Sequence, residues 1–179
     1  MFAETKLTIN FTNTTAAKEA KEIASKTLLT MEYDFSFRNA AENAAANLIA
    51  ENNSLVLPEE HGAFSPEEWN DILTEILKGI TTELPNENFT YTSCAYSNYS
   101  EAWIEGNYAN GTLEINSTYY PMGYLEYVEC PECGEEVVRI DEYDPNKTYI
   151  CPDCGEEIDL SERYKECAPV ITKETIEIK

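Results

Sequence analysis

Two stretches of this chain are near-copies of each other, YVECPECGEE at 127–136 and YICPDCGEE at 149–157. Each holds two cysteines separated by two residues, Cys130 with Cys133 and Cys151 with Cys154, and each pair runs into a glycine, Gly134 or Gly155. Two intervening residues let one tight turn offer both sulfurs to a single ion, and the glycine permits the left-handed backbone that closes the turn. Seventeen residues, 134–150, lie between the pairs, within the range expected of a four-cysteine metal site. No other feature constrains the fold as hard, because residues 126–167 must wrap around that site.

The sequence opens MFAETKLTINF, with neither a basic nor a long apolar leader region, and no window approaches a membrane-spanning length of apolar residues. The expected compartment is therefore the cytoplasm of a bacterial cell, where cysteines stay reduced and ligand chemistry wins over disulfides. The Asn-x-Ser/Thr triplets at Asn10, Asn13, Asn52, Asn88, Asn98, Asn110, Asn116 and Asn146 then follow from an Asn/Thr-rich composition, not from glycosylation. Between the cysteine pairs, Val137, Val138 and Ile140 precede an Asp144-Pro145-Asn146 turn and then Tyr149 and Ile150, a pattern that predicts a β-hairpin with one knuckle at each end. The stretch resembles the zinc-ribbon family. Motif and resemblance together imply Zn2+ bound by Cys130, Cys133, Cys151 and Cys154. Four thiolates fill the tetrahedron and leave no position for water, so the expected role is structural. Of the remaining cysteines, Cys94 falls in a predicted strand as a small buried hydrophobe, and Cys167 is expected to pack beside the ribbon without being a ligand.

The rest of the chain predicts an α+β fold with a mainly antiparallel sheet, two to three helices and the ribbon as an inserted module. Its divisions are residues 1–125, the ribbon at 126–167, and a C-terminal strand at 168–179 returning to the main sheet. Leu7, Ile9 and Phe11 alternate with polar residues and predict a strand over 6–11. Thr14 or Thr15 then caps a helix with Ala17, Ala20, Ile23, Ala24, Thr27 and Leu28 on one face. TMEYDFSF puts Met31, Tyr33, Phe35 and Phe37 at period two, which predicts a second strand, and the alanine-rich 39–52 reads as a helix. LVLPEEHGAF reads as a connection opening with a short strand, with the sole histidine, His61, as a surface loop residue.

Ser65-Pro66-Glu67-Glu68 is a capping box with proline at the first helical position. Trp69, Ile72, Leu73, Ile76, Leu77 and Ile80 follow at helical spacing, as core residues. A strand at 88–96 leads to Asn110-Gly111, the strongest short hairpin signal in the chain. A two-residue turn there pairs Tyr108 with Leu113, Gly106 with Ile115 and Ile104 with Ser117, leaving Trp103, Glu105, Asn107, Glu114 and Asn116 on the opposite face. Trp103 on that polar face is either a contact point or a packed edge. In the last strand Val170, Ile176 and Ile178 share one parity, and Ile171 breaks it.

Charge narrows the function. The 34 acidic and 12 basic residues give a formal net charge of −22. Nucleic-acid binding rests on Lys and Arg displacing counterions, so a direct DNA or RNA interface is disfavoured. A basic protein surface, approached under long-range steering, is the matching partner. The ribbon shares the bias, with fourteen acids against Arg139, Lys147, Arg163 and Lys165 over 126–167. Glu126, Glu129, Glu132, Glu135 and Glu136 cluster on this ordered element and are the candidate partner-binding carboxylates.

No phosphate loop, nucleophile elbow, His-Glu-x-x-His or dinucleotide fingerprint is present, so nothing in the sequence supports an enzyme. In size, acidity and lack of catalytic motifs the chain loosely resembles the small phage-encoded anti-defence proteins, notably anti-CRISPR and anti-restriction inhibitors. That resemblance implies a DNA-mimicking inhibitor of a nucleic-acid-handling enzyme, such as an RNA-guided CRISPR-Cas nuclease with its guide RNA. It carries over no functional residue, because no motif outside the ribbon matches. The alternative is a zinc-ribbon adaptor docking on a transcription, translation or replication complex.

Overall fold

The computed structural model describes residues 3–32, 35–61, 64–97, 100–121 and 126–178. Strand β1 (Ala3–Phe11) leads into helix α1 (Thr14–Thr30), helix α2 (Phe35–Asn47), the short strand β2 (Ile49–Glu51), strand β3 (Ser54–His61) and helix α3 (Pro66–Glu83). Strands β4 (Phe89–Ser97), β5 (Glu101–Ala109) and β6 (Thr112–Tyr120) follow as a meander. The ribbon supplies β7 (Tyr127–Glu129), β8 (Glu136–Arg139), β9 (Tyr149–Ile150), β10 (Glu157–Ile158) and the short helix α4 (Ser161–Cys167), before β11 (Val170–Glu177). The class is α+β, with four α-helices among the described residues, above the two to three that the sequence predicted.

The main sheet has seven strands in the order β11-β6-β5-β4-β1-β3-β2, and every pairing in it is antiparallel. Helices α1, α2 and α3 cover one face. Toward them point Leu7, Ile9 and Phe11 of β1, Leu55 and Leu57 of β3, Tyr91 of β4, Ile104 and Tyr108 of β5, and Leu113 and Ile115 of β6, all buried. The opposite face is polar and open, as alternation in a one-sided antiparallel sheet requires. No described helix is long and apolar enough to cross a membrane.

The Asn110-Gly111 hairpin adopts the expected register, with Tyr108 opposite Leu113, Gly106 opposite Ile115 and Ile104 opposite Ser117. Both turn residues have positive φ, 53° and 80°, as this turn demands. Ser65 and Glu68 form the reciprocal capping box, and all six apolar residues of the α3 stripe are buried.

Four expectations are corrected. The cap of α1 is Asn13, whose Oδ1 accepts from the Ala16 amide at 2.9 Å, and not Thr14 or Thr15. Its Nδ2 also donates to Glu87, so the cap ties the helix to the loop before β4. The second predicted strand is the start of α2, with Tyr33 outside the described residues. Period two at Phe35 and Phe37 loses to the longer stripe of Phe37, Ala40, Ala41, Ala44, Ala45 and Leu48, which packs at helical spacing on the core. The helix expected to reach residue 52 stops at Asn47, and Ile49–Glu51 pair with β3 instead. His61 lies at the end of an eight-residue strand, not in a loop.

Pro58 explains why β3 is hard to read. It has no N–H to give to a ladder, and the β1–β3 register shifts where it falls, between Thr5 opposite Glu60 and Leu7 opposite Leu57. The Lys6 carbonyl at this shift accepts from Ser93 Oγ at 2.6 Å, and Ser93 Oγ accepts from Trp69 Nε1 at 2.7 Å. One buried relay thus joins α3, β4 and β1. Further along, Gly106 lets Tyr91 reach under β5 to donate to the Glu114 carbonyl at 2.9 Å, because a Cβ there would lie 1.9 Å from that oxygen. Ser93→Ala strands the buried indole N–H of Trp69, and chemical denaturation should show a loss of about 2 kcal/mol. Gly106→Ala should cost about 2 kcal/mol or more by overpacking.

Candidate metal centre

Each cysteine pair sits on its own short hairpin. β7 and β8 pair around Cys130 and Cys133, and β9 and β10 pair around Cys151 and Cys154. The single hairpin expected between the knuckles is therefore corrected to two, because a 3-10 turn at Ile140–Glu142 ends β8 before it can reach β9. The Asp144-Pro145-Asn146 turn does form, with the Lys147 amide donating to the Asp144 carbonyl at 3.1 Å.

The two knuckles repeat one backbone pattern. The Gly134 amide donates to the Cys130 carbonyl at 2.9 Å, and the Gly155 amide to the Cys151 carbonyl at 3.0 Å. The Cys130 and Cys151 amides donate in turn to the carbonyls of Glu135 and Glu156. Gly134 and Gly155 have φ of 78° and 72°, the left-handed backbone that favours glycine.

This geometry brings all four sulfurs within 4.8 Å of one another. The Cys133–Cys151 separation is 3.5 Å and the Cys130–Cys154 separation 4.0 Å. A disulfide needs about 2.05 Å, so these are not bonded pairs. A tetrahedral ion at about 2.3 Å from each sulfur needs neighbouring sulfurs about 3.8 Å apart, which the cluster meets with small adjustment. Cys130 and Cys151 are buried while Cys133 and Cys154 are exposed, so the centre lies near the surface of the module. Such a four-cysteine cluster could bind a metal ion, with all four positions filled by protein.

Bringing thiols this close perturbs them. The amide of Cys154, then that of Asp153, and the neighbouring thiols bring Cys151 down to about 7 against the effect of burial. The Glu135 amide favours the Cys133 thiolate, but hydrogen bonding with Cys151 and the adjacent Cys130 sulfur outweigh it and push that thiol up to about 12. Cys154 is likewise raised: the Glu156 amide lowers it, and Cys151 and Cys130 more than offset this.

Around the sulfurs the ribbon builds a small core of Val128, Tyr149, Leu160 and Cys167, separate from that of the main sheet. Tyr143 stacks on Tyr164 with ring centres 4.1 Å apart and on Tyr149 at 5.7 Å, and the Tyr149 hydroxyl accepts from the Asp144 amide at 2.7 Å. This tyrosine stack was not foreseen, since its rings come from three stretches with no shared periodicity. Cys167 packs in this core and donates to the Arg163 carbonyl. Cys94 is buried in β4.

Of the five candidate partner-binding glutamates, Glu132, Glu135 and Glu136 are exposed on the first knuckle. Glu126 pairs instead with Arg139, and Glu129 pairs with Arg163 at 3.2 Å.

β6 and β11 are neighbours in the sheet, with Val170 opposite Tyr119, so the ribbon occupies the place of their connecting loop. Chelation or Cys133→Ser should unfold the ribbon. The β6–β11 pair would then close over a long floppy loop, and amide exchange in β11 should accelerate while β1 and β4 stay protected. Because binding displaces protons from raised thiols, metal affinity should fall as pH falls, by at least about tenfold per unit below neutrality, as titration with a competing chelator would measure.

No protein-family model, curated protein or solved structure matches this chain.

Proposed function

We propose that this protein is an acidic, protein-binding inhibitor of a nucleic-acid-handling enzyme, presenting carboxylates where the target expects phosphates. The observation that carries this reading is the charge: −22 on 179 residues, shared by sheet and ribbon alike. The ribbon's few cations support it further, because they are engaged within the module. Arg139 pairs with Glu126 and Asp141, Arg163 with Glu129 and Glu166, and Lys165 with Glu162, while Lys147 lies 5.4 Å above the Tyr149 ring. A ribbon reading nucleic acid would instead turn its cations and aromatic faces outward. Glu132, Glu135 and Glu136, carried on a turn stiffened by a metal, are the carboxylates best suited to this presentation.

The ion proposed for the centre is Zn2+, which has no geometric preference of its own and accepts a closed set of four thiolates in a structural site. The target class proposed is that of phage anti-defence inhibitors, an RNA-guided CRISPR-Cas nuclease whose guide and heteroduplex channels are strongly basic. Affinity capture from host lysate at low and high salt tests the reading. Recovery of a DNA- or RNA-binding enzyme that is lost at high salt and displaced by duplex DNA is the expected result. Capture indifferent to salt and to DNA would reject charge mimicry and favour an adaptor. Native mass spectrometry should find one zinc per chain, absent from Cys130→Ser.

A further inference from the structure

The two ends of the main sheet differ. At one end β2 is three residues long, too short to seat another strand. At the other, β11 offers eight residues, Val170–Glu177, without proline and with no described element along its outer side. Alternate residues of such an edge aim their N–H and C=O groups outward, and proteins ordinarily blunt it with bulges, prolines, cover or charges, of which β11 has only the charges of Lys173, Glu174 and Glu177. Here it is left long, regular and exposed.

Apolar surface gathers at this same end. Val170 is 51% exposed and Ile171 66% exposed, on opposite faces of the strand, and Trp103 is 51% exposed. Ile171 lies opposite Thr118 in β6, and Thr118 lies opposite Trp103 in β5, so the three form one row across the open face. A depression of about 540 Å³ lined by Trp103, Glu105 and Thr118 opens beside this row. On the helix face a second depression of about 300 Å³ separates α3 from β11, walled by Glu67 and Asp71 with Val170 on its floor. Glu174 and Glu177 lie on the strand itself, and Lys173 faces the open side with Lys6 at the far rim of the larger depression.

We propose that β11 is a docking strand, and that its occupant is an extended, basic segment of the partner, with apolar residues alternating with Lys or Arg. Strand addition supplies main-chain hydrogen bonds for affinity and side-chain pockets on both faces for specificity. Alternation puts all of the segment's apolar residues on one face, the open one, beside Ile171. Its cations would then all lie on the helix face, toward Glu67, Asp71 and Glu174.

A second copy of this chain fits poorly. Antiparallel self-pairing keeps core and open faces matched only when residues of equal parity oppose each other. The central registers then set Lys173 against Lys173 or Glu174 against Glu174, and like charges directly opposite destabilise a sheet. The two −22 chains would also repel at long range. This inference takes only the partner's positive charge from the inhibitor reading.

The test uses the full, metal-loaded chain and two synthetic eight-residue peptides, one alternating valine with lysine and one alternating valine with glutamate. At saturation the lysine peptide should slow exchange of alternate β11 amides at least about tenfold, and the glutamate peptide should not. Ile171→Lys, at an exposed position, should weaken the lysine peptide about tenfold or more without lowering the melting temperature of the sheet, and Glu174→Lys, on the face that meets the cations, should also weaken it. Protection that appears elsewhere, binding indifferent to both variants, or no protection at millimolar peptide overturns the docking strand. So does dimerisation through β11 in place of peptide binding. If salt-sensitive lysate capture survives Ile171→Lys, the docking strand falls and the inhibitor reading stands. If the peptide protects β11 but the wild type captures nothing by charge, the reverse holds.

Discussion

The ladder between β1 and β4 runs from Ala3 opposite Ser97 to Phe11 opposite Phe89 without a break, and the rest of the sheet takes its place from it. It fixes which residues of the two central strands face the helices. Every strand added outward then inherits that alternation through its register. The alanine face of α1 lies against it closely, and α3 in turn approaches α1 where Gly79 leaves room beside Thr27 and Ile23. The relay from Trp69 through Ser93 to Lys6 belongs to the same constraint. It ties the carbonyl at the shift in the β1–β3 ladder to β4 and aims the largest side chain of α3 at the centre of the sheet.

Features with local causes were legible in the sequence. The Asn110-Gly111 turn, the Ser65–Glu68 box and the Cys-x-x-C-G knuckles each carry their own geometry within a few residues, and each forms as read. Features decided by distant partners were not legible. β3 carries Pro58, Glu59 and Glu60 and reads as a loop, and it is a strand because β1 lies alongside it. The first turn of α2 mimics a strand through two phenylalanines, and Phe37 settles into the helix by packing near Phe64, which follows β3 in the chain. In the ribbon the four converging cysteines could be identified but the pairing could not. The choice between one hairpin and two depends on a tyrosine stack and a 3-10 turn that spacing does not encode.

The distribution of charge has a structural side as well as a functional one. The ribbon's arginines are spent on its own glutamates, where the exposed pairs contribute little individually but hold α4 and β7 together through Arg163. Outside the ribbon the acids outnumber the basic residues by twenty to eight (34 less 14, and 12 less 4). Self-repulsion of that size works against compaction. A stiff sheet, a dense alanine–leucine helix layer and four converging sulfurs are the means by which this chain stays folded while remaining so strongly negative.

The central position of β1 also bears on how the molecule assembles. Leu7 must meet Leu57 on one side and Ser93 on the other, so the strand stays unpaired until long stretches of chain have collapsed around it. The β5–β6 hairpin closes over two residues and can form alone. The order that loop-closure entropy favours is the meander first, then α3 upon it, and β1 with its neighbour β3 last, the docking of β1 on β4 being the step that commits the sheet. Its flanks would be exposed hydrophobic edges until then, and the heavy negative charge would keep such half-formed chains apart.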